Sequence, residues 1–279
     1  MAALKKVSEV YTEEEFALVR DPRTADWLFP GNWQLITLLL VGYVYVVKIA
    51  GPSFMKSRKP YDVIKPLIAL YNLFMVASSA YFAAAFASTA YIRNSYSLLC
   101  QGIDFDARDE GTMALLNLYW WFVIQRIADF LDTLFFVLRK KDSHVSFLHV
   151  AHHAIVVFTG WFGLTYGPDG QSALVVVVNC CVHVIMYSYY FLSLLGPAFQ
   201  KYLWWKRYLT QLQLAQFFFL FLHACMPLFL HCGYPRSHTY ITLSTAVLFF
   251  SLFTLFYIDS YRSKKRRLST KCDIRTKLH

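Results

Sequence analysis

The sequence predicts an all-α, polytopic membrane protein with seven transmembrane helices. Of its 279 residues, 57% are hydrophobic and 16% charged, and the mean hydropathy is +0.40, too apolar for a soluble domain of this size. The apolar residues gather into runs near the roughly 20 residues that a helix needs to cross a bilayer with every backbone hydrogen bond closed internally. Aromatic residues make up 18% of the chain, with 25 Phe and 19 Tyr, and suit rings that pack helices and anchor at the membrane interface.

Seven such runs lie near 33–50, 64–88, 114–138, 145–166, 171–192, 208–230 and 239–260. Residues 1–31 precede the first and mix charges, Glu13, Glu14 and Glu15 among them, so no cleavable signal is expected. Polar residues interrupt the fourth and fifth runs. The connections are short, which predicts one domain over residues 1–279. No internal repeat or low-complexity tract is found, and the only linker-like stretch is the basic tail, 262–279.

The net charge of +10 does not point to nucleic acid, because Lys and Arg avoid the apolar runs and gather between them. Seven spans place the termini on opposite sides, and the side shared with the C-terminus holds 18 Lys and Arg against seven on the other. The positive-inside rule then makes the C-terminus cytosolic and residues 1–31 lumenal. Lys277, with Arg275 two before it, echoes a lysine-based retrieval signal. Cys100 and Cys232 fall in two loops on the non-cytosolic side, where an oxidising lumen permits a disulfide. Cys180, Cys181 and Cys225 lie within spans as small packing residues.

Ionisable and amide side chains at membrane depth are costly and mark function. The third run carries Arg126, Asp129, Asp132 and Thr133; the fourth His149, His152 and His153; the fifth Asn179 and His183; the sixth Gln213 and Gln216. Residues three or four apart share a helix face, so the three histidines form one imidazole face, and Tyr187 and Tyr190 extend that of Asn179 and His183. The third and fifth runs end on the cytosolic side, where the fourth and sixth begin. Polar groups from four helices therefore meet at one level, roughly 15 Å or less from that mouth. Arg139, Lys141, His144, Lys206 and Arg207 stand around it as a cationic rim suited to a phosphorylated substrate whose acyl tail enters the membrane.

A di-iron centre of the membrane desaturase kind needs about eight histidines in several boxes. This chain has nine in all and only one HxxHH, and no HExxH suggests zinc, so no metal is expected. Imidazole acting as base or nucleophile on a thioester is the better fit, because acyl transfer to a ring nitrogen divides one hard step into two. Asn179 and a second histidine are candidate donors to the enolate or oxyanion.

The blocks RIADFLDTLFFVLRKK, HVSFLHVAHH, NCCVHVIMYSYY and TQLQLAQ preceded by YLWWKR, spanning Arg126 to Gln216, resemble the ELO family of very-long-chain fatty acid elongases in order and spacing. The resemblance implies a seven-helix fold of the endoplasmic reticulum membrane, six helices enclosing a closed acyl tunnel with CoA at its cytosolic mouth. It implies condensation of long-chain acyl-CoA with malonyl-CoA to 3-oxoacyl-CoA, CO2 and CoA, with no cofactor besides these substrates. Carried over by motif, His152 is the acyl-accepting nucleophile, His183 its partner across the site, and His149 and His153 complete the box. Asn179 and Tyr189 line the reacting end. Arg126, Arg139, Lys141, His144, Lys206, Thr210 and Gln213 match positions that hold CoA or malonyl groups. The implied partners are membrane lipid, the reductases and dehydratase of the elongation cycle, and a second copy of the chain; nucleic acid is not among them. The family commonly has Lys where this chain has Arg126, and Glu where it has Asp129. A seven-span receptor has no need of such polar clusters at one depth, and a proton-coupled carrier calls for paired repeats, which the chain lacks.

Overall fold

In the computed structural model, which describes residues 18–263, every long element is a helix. The basic tail from residue 264 onward and residues 1–17 lie outside the described part, as do the Arg275 and Lys277 of the expected retrieval signal.

Helix α1 runs Trp33–Met55. The Asn32 side chain caps it by accepting from the Leu35 amide at 3.0 Å, supplying one of the acceptors that a helix start lacks. Pro52 cannot donate a backbone hydrogen bond and crowds the preceding turn, and α1 widens to a π-turn at Val46–Ala50 just before it. Helix α2, Lys65–Ala87, has Pro66 in its first turn, where no amide is needed. Then follow α3, Glu110–Ala128; α4, Phe130–Leu138; α5, Phe147–Tyr166; α6, Ser172–Leu194; α7, Lys206–Leu230; and α8, Arg236–Tyr257.

Among the described residues six helical stretches are long and apolar enough to cross a membrane, in place of the seven expected. The missing one is the third. The chain tightens at Asp129, where ψ is −17°, and divides that run into α3 and α4. Arg126, Asp129 and Asp132 also make it the most polar of the seven. The other six runs match the predicted stretches to within a few residues at most ends.

Packing closes a ring. Helix α2 lies along α6, α6 touches α7, α7 pairs with α8, α8 meets α5, α5 packs on α3, and α3 returns to α2. Helix α1 stands outside, against α5 and α4. Helices in lipid gain little from hydrophobic burial and depend on close packing instead. The α3–α5 contact illustrates this: a Cβ at Gly160 would meet Val123 Cγ2 at 3.2 Å, and one at Gly163 would strike the Tyr119 hydroxyl. Phe86, Leu115, Val123, Val157 and Leu164 are fully buried around this seam.

At the end of the ring opposite the basic rim, residues 18–31 fold back onto α5. Thr24 Oγ1 donates to the Leu164 carbonyl at 2.8 Å, and Trp161 Nε1 donates to the Phe29 carbonyl at 3.0 Å. Arg23 is buried there between Asp21 (2.6 Å) and Asp169 (3.0 Å), the pairing that makes a buried charge tolerable. Burial pushes the Asp169 carboxyl up, against the pull of Arg23. Nothing in the sequence flagged this clamp, because Arg23 and Asp169 are 146 residues apart.

At the same end a disulfide joins Cys100 to Cys232, with Cα atoms 5.8 Å apart, tying the connection between α2 and α3 to the one between α7 and α8. Alkylation of non-reduced, denatured protein is expected to leave both cysteines unlabelled and to label both after reduction. Labelling of either before reduction would remove the bridge.

Candidate active site

The Ser146 hydroxyl caps α5 by accepting from the His149 amide at 3.2 Å, which sets His149 in the first turn and His152 and His153 one turn on. The box occupies one broad face with two outlooks. The rings of His149 and His153 lie 4.2 Å apart, and His149 Nε2 hydrogen-bonds Thr133 Oγ1 of α4 at 2.9 Å. His152 turns toward α8, its ring 4.7 Å from Phe249 and 6.0 Å from Phe253. Phe217 of α7 packs on both of those rings. His152 makes no hydrogen bond to any described residue, so neither ring nitrogen is committed.

Across from the box, α3 and α6 share a polar knot. Arg126, 1% exposed, sends Nη1 to His183 Nδ1 at 2.8 Å and to Asn179 Oδ1 at 3.3 Å. Its Nη2 donates to Gln125 Oε1 at 2.9 Å, and Gln125 Nε2 in turn donates to Ser78 Oγ of α2 at 2.6 Å. Arginine has donors only. His183 therefore offers it a lone pair and is neutral. Asp129 answers the guanidinium charge at 3.2 Å. The Tyr187 hydroxyl bridges the two carboxylates, 3.0 Å from Asp129 Oδ1 and 2.6 Å from Asp132 Oδ2.

The basic rim is less uniform than the sequence suggests. Lys206 opens α7, exposed to solvent. His144 sits against Phe136, ring centroids 5.1 Å apart; partial burial first, then Lys206 and Lys141 nearby, hold its imidazole below the usual histidine range. Arg139 is engaged with Asp62 at 3.5 Å. Thr210 is buried, and Gln213 Nε2 reaches Met186 Sδ at 3.6 Å. Tyr189, expected at the reacting end, packs edge-on against Trp205 at 5.0 Å, at the start of α7 beside Lys206. Arg207 Nε and Gln211 Nε2 both donate to the Tyr257 hydroxyl, at 2.8 and 2.9 Å.

Several buried polar atoms of the site have no hydrogen-bond partner among the described residues: Arg126 Nε, Arg139 Nε, His153 Nδ1 and Gln216 Oε1. Sequence reasoning passed over Tyr43, Tyr71 and Gln125. Tyr43 and Tyr71 stand in apolar runs where a tyrosine reads as an interface anchor, yet their hydroxyls reach Thr133 Oγ1 at 2.8 Å and the Ala128 carbonyl at 3.2 Å. Gln125 carried the one usable signal, an amide beside a buried arginine. Among the described residues no three His, Cys, Asp or Glu are grouped to hold a metal ion.

A multi-pass helical protein with histidines, an arginine and two carboxylates gathered inside a ring is a membrane protein with a buried polar centre. Comparison with known proteins narrows the class. The profile of the ELO family, described as the GNS1/SUR4 family, matches residues 28–269. The chain is 39% identical over 255 residues to a very long chain fatty acid elongase of Aedes aegypti, covering 91% of this chain and 71% of that protein. It is 38% identical over 248 residues to very long chain fatty acid elongase 7 of Rattus norvegicus, covering 88% and 87%. It is 36% identical over 254 residues to very long chain fatty acid elongase 4 of Mus musculus, covering 91% and 80%. The chain belongs to the ELO family.

Proposed function

We propose that this protein is a very-long-chain fatty acid elongase that condenses a long-chain acyl-CoA with malonyl-CoA, giving 3-oxoacyl-CoA, CO2 and free CoA, through an acyl group carried on His152. The reading is supported by family membership, by the names of the relatives, and above all by one observation: an uncommitted His152 whose ring lies 5.6 Å from that of His153, with His183 anchored to Arg126.

In the first half-reaction a His152 nitrogen attacks the thioester carbon. The new C–N bond forms as C–S breaks, and the imidazole proton leaves with the thiolate as CoA. In the second, malonyl-CoA loses CO2 and the freed electron pair forms a C–C bond to the acyl carbon. The C–N bond then breaks, and the departing imidazolide takes up one proton from the aqueous side. His152 suits the nucleophile because its nitrogens are free, whereas His149 is tied to Thr133. Asn179, His153 and the Arg126 charge suit the stabilisation of negative charge on the reacting oxygens. Lys141, His144 and Lys206 at the basic end suit the phosphates of CoA, with Arg139, Thr210, Gln213 and Tyr189 along the way in.

This assignment needs no metal or cofactor. It places the basic end in the cytosol and the disulfide end in the lumen of the endoplasmic reticulum, where the reductases and dehydratase of the cycle would take the product onward. Purified protein given labelled malonyl-CoA and a ladder of acyl-CoAs is expected to release CO2 only with an acyl-CoA present and to yield products two carbons longer. CO2 release without chain extension, or neither with any acyl length, would overturn the reading.

A further inference from the structure

We propose that Tyr43, on helix α1 outside the ring, is a positioning residue that fixes the proton of His149 on Nδ1, acting through Thr133. The Tyr43 hydroxyl lies 2.8 Å from Thr133 Oγ1, and Thr133 Oγ1 lies 2.9 Å from His149 Nε2. These residues come from α1, α4 and α5, so the chain of hydrogen bonds joins the outer helix to the histidine box. Tyr43 is 7% exposed and Thr133 fully buried. The Tyr43 ring stacks on Phe130 at 3.9 Å and 9°, which aims the hydroxyl.

The direction of donation follows from counting protons. Tyr43 has one hydroxyl proton and no hydrogen-bond partner among the described residues besides Thr133. If His149 donated through Nε2, Thr133 would either donate onward to Tyr43, leaving the tyrosine proton without an acceptor, or accept from both, leaving its own proton without one among the described residues; either way a buried hydroxyl proton is stranded, an expensive arrangement. In the opposite direction every proton is used: Tyr43 donates to Thr133, Thr133 donates to His149 Nε2, and the imidazole proton is left on Nδ1. The bond made by one ring nitrogen sets the state of the other. His149 thus offers the box a donor at Nδ1 and no free base at Nε2, directly against His153 and one turn below His152.

The catalytic consequence rests on the elongase reading; the place of the proton does not. Protein labelled with 15N-histidine and held in lipid nanodiscs separates the two by solid-state NMR, with the His149 signals assigned by their loss in His149→Gln. The wild type is expected to show a neutral His149 protonated at Nδ1. Tyr43→Phe, which keeps the stack on Phe130, and Thr133→Val are expected to populate the other tautomer. Both should lower condensation turnover about tenfold with Michaelis constants unchanged, the lower end of what losing the outer hydrogen-bond partner of a metal-bound histidine costs, and Thr133→Ser should restore both readouts. A wild-type His149 protonated at Nε2, or a Tyr43→Phe protein with wild-type tautomer, would overturn the inference, and a moved tautomer at unchanged turnover would remove its catalytic part. Absence of condensation in the wild type would sink the elongase reading, while the tautomer measurement would still decide where the proton sits.

Discussion

Incubated with a long acyl-CoA and no malonyl-CoA, the protein is expected to release CoA and to gain the mass of one acyl group, and His152→Ala to do neither. The argument is one of available atoms. A thioester carbon needs a nucleophile at membrane depth, and Cys180 is fully buried while Cys181 turns outward. Ser78 and Ser79 are held by Gln125 with no imidazole beside them. Among the box histidines, His149 spends one nitrogen on Thr133 and His153 has Nδ1 buried, whereas His152 keeps both nitrogens uncommitted beside Phe249. Loss of a covalent nucleophile should cost roughly a thousandfold or more in turnover, with thermal stability close to wild type because the alanine leaves the Phe217, Phe249 and Phe253 cluster in place. Ping-pong kinetics should accompany the adduct, since CoA leaves before malonyl-CoA reacts. The competing scheme has the histidines act only as bases while the malonyl carbanion attacks acyl-CoA directly. Intact-protein mass spectrometry separates them: an acyl-CoA that the protein elongates but that never adds mass to it would discard the covalent route.

The sequence made the box legible because charged and imidazole side chains in an apolar run stand out whatever the fold. His149, His152, His153, His183, Asn179 and Arg126 were all visible on that ground, and the helical repeat was enough to face them inward. The network that holds them was less legible. Tyr43 and Tyr71 look like ordinary membrane tyrosines until packing brings them to Thr133 and the Ala128 carbonyl. The division at Asp129 has no proline or glycine to announce it; there the Asp129 carboxylate meets Arg126, one turn earlier in the same run, and Tyr187 of α6. The ring order was equally hidden, because α2 pairs with α6 across about a hundred residues and no local pattern encodes such a contact. The contact of Tyr189 was equally hidden: its motif put it with the reacting groups, and the packing of its ring edge-on against Trp205 at the start of α7 is a tertiary contact that no helical repeat gives.

Arg126 is where stability and chemistry are most tightly joined, and Arg126→Met is expected to damage both. The guanidinium has no exposed side-chain surface and reaches four neighbours: Gln125, Asp129, Asn179 and His183. Removing it leaves Asp129 and Asp132 buried together with no cation, and an uncompensated buried charge of this kind costs about 3–5 kcal/mol. For a chain of this size that is about 10 °C in the thermal midpoint. His183 would also lose the donor that holds its ring, so condensation should fall well beyond what the loss of folded protein explains. Arg126→Lys tests the distinction. It keeps the charge beside Asp129 and should restore most of the midpoint, but an ammonium cannot span the guanidinium's set of acceptors, so turnover should recover only in part. The double variant Arg126→Met with Asp129→Asn removes both charges of the pair and should melt above Arg126→Met alone while remaining inactive. A double variant no more stable than the single one would show that the loss comes from packing around the arginine stem and not from the stranded carboxylates.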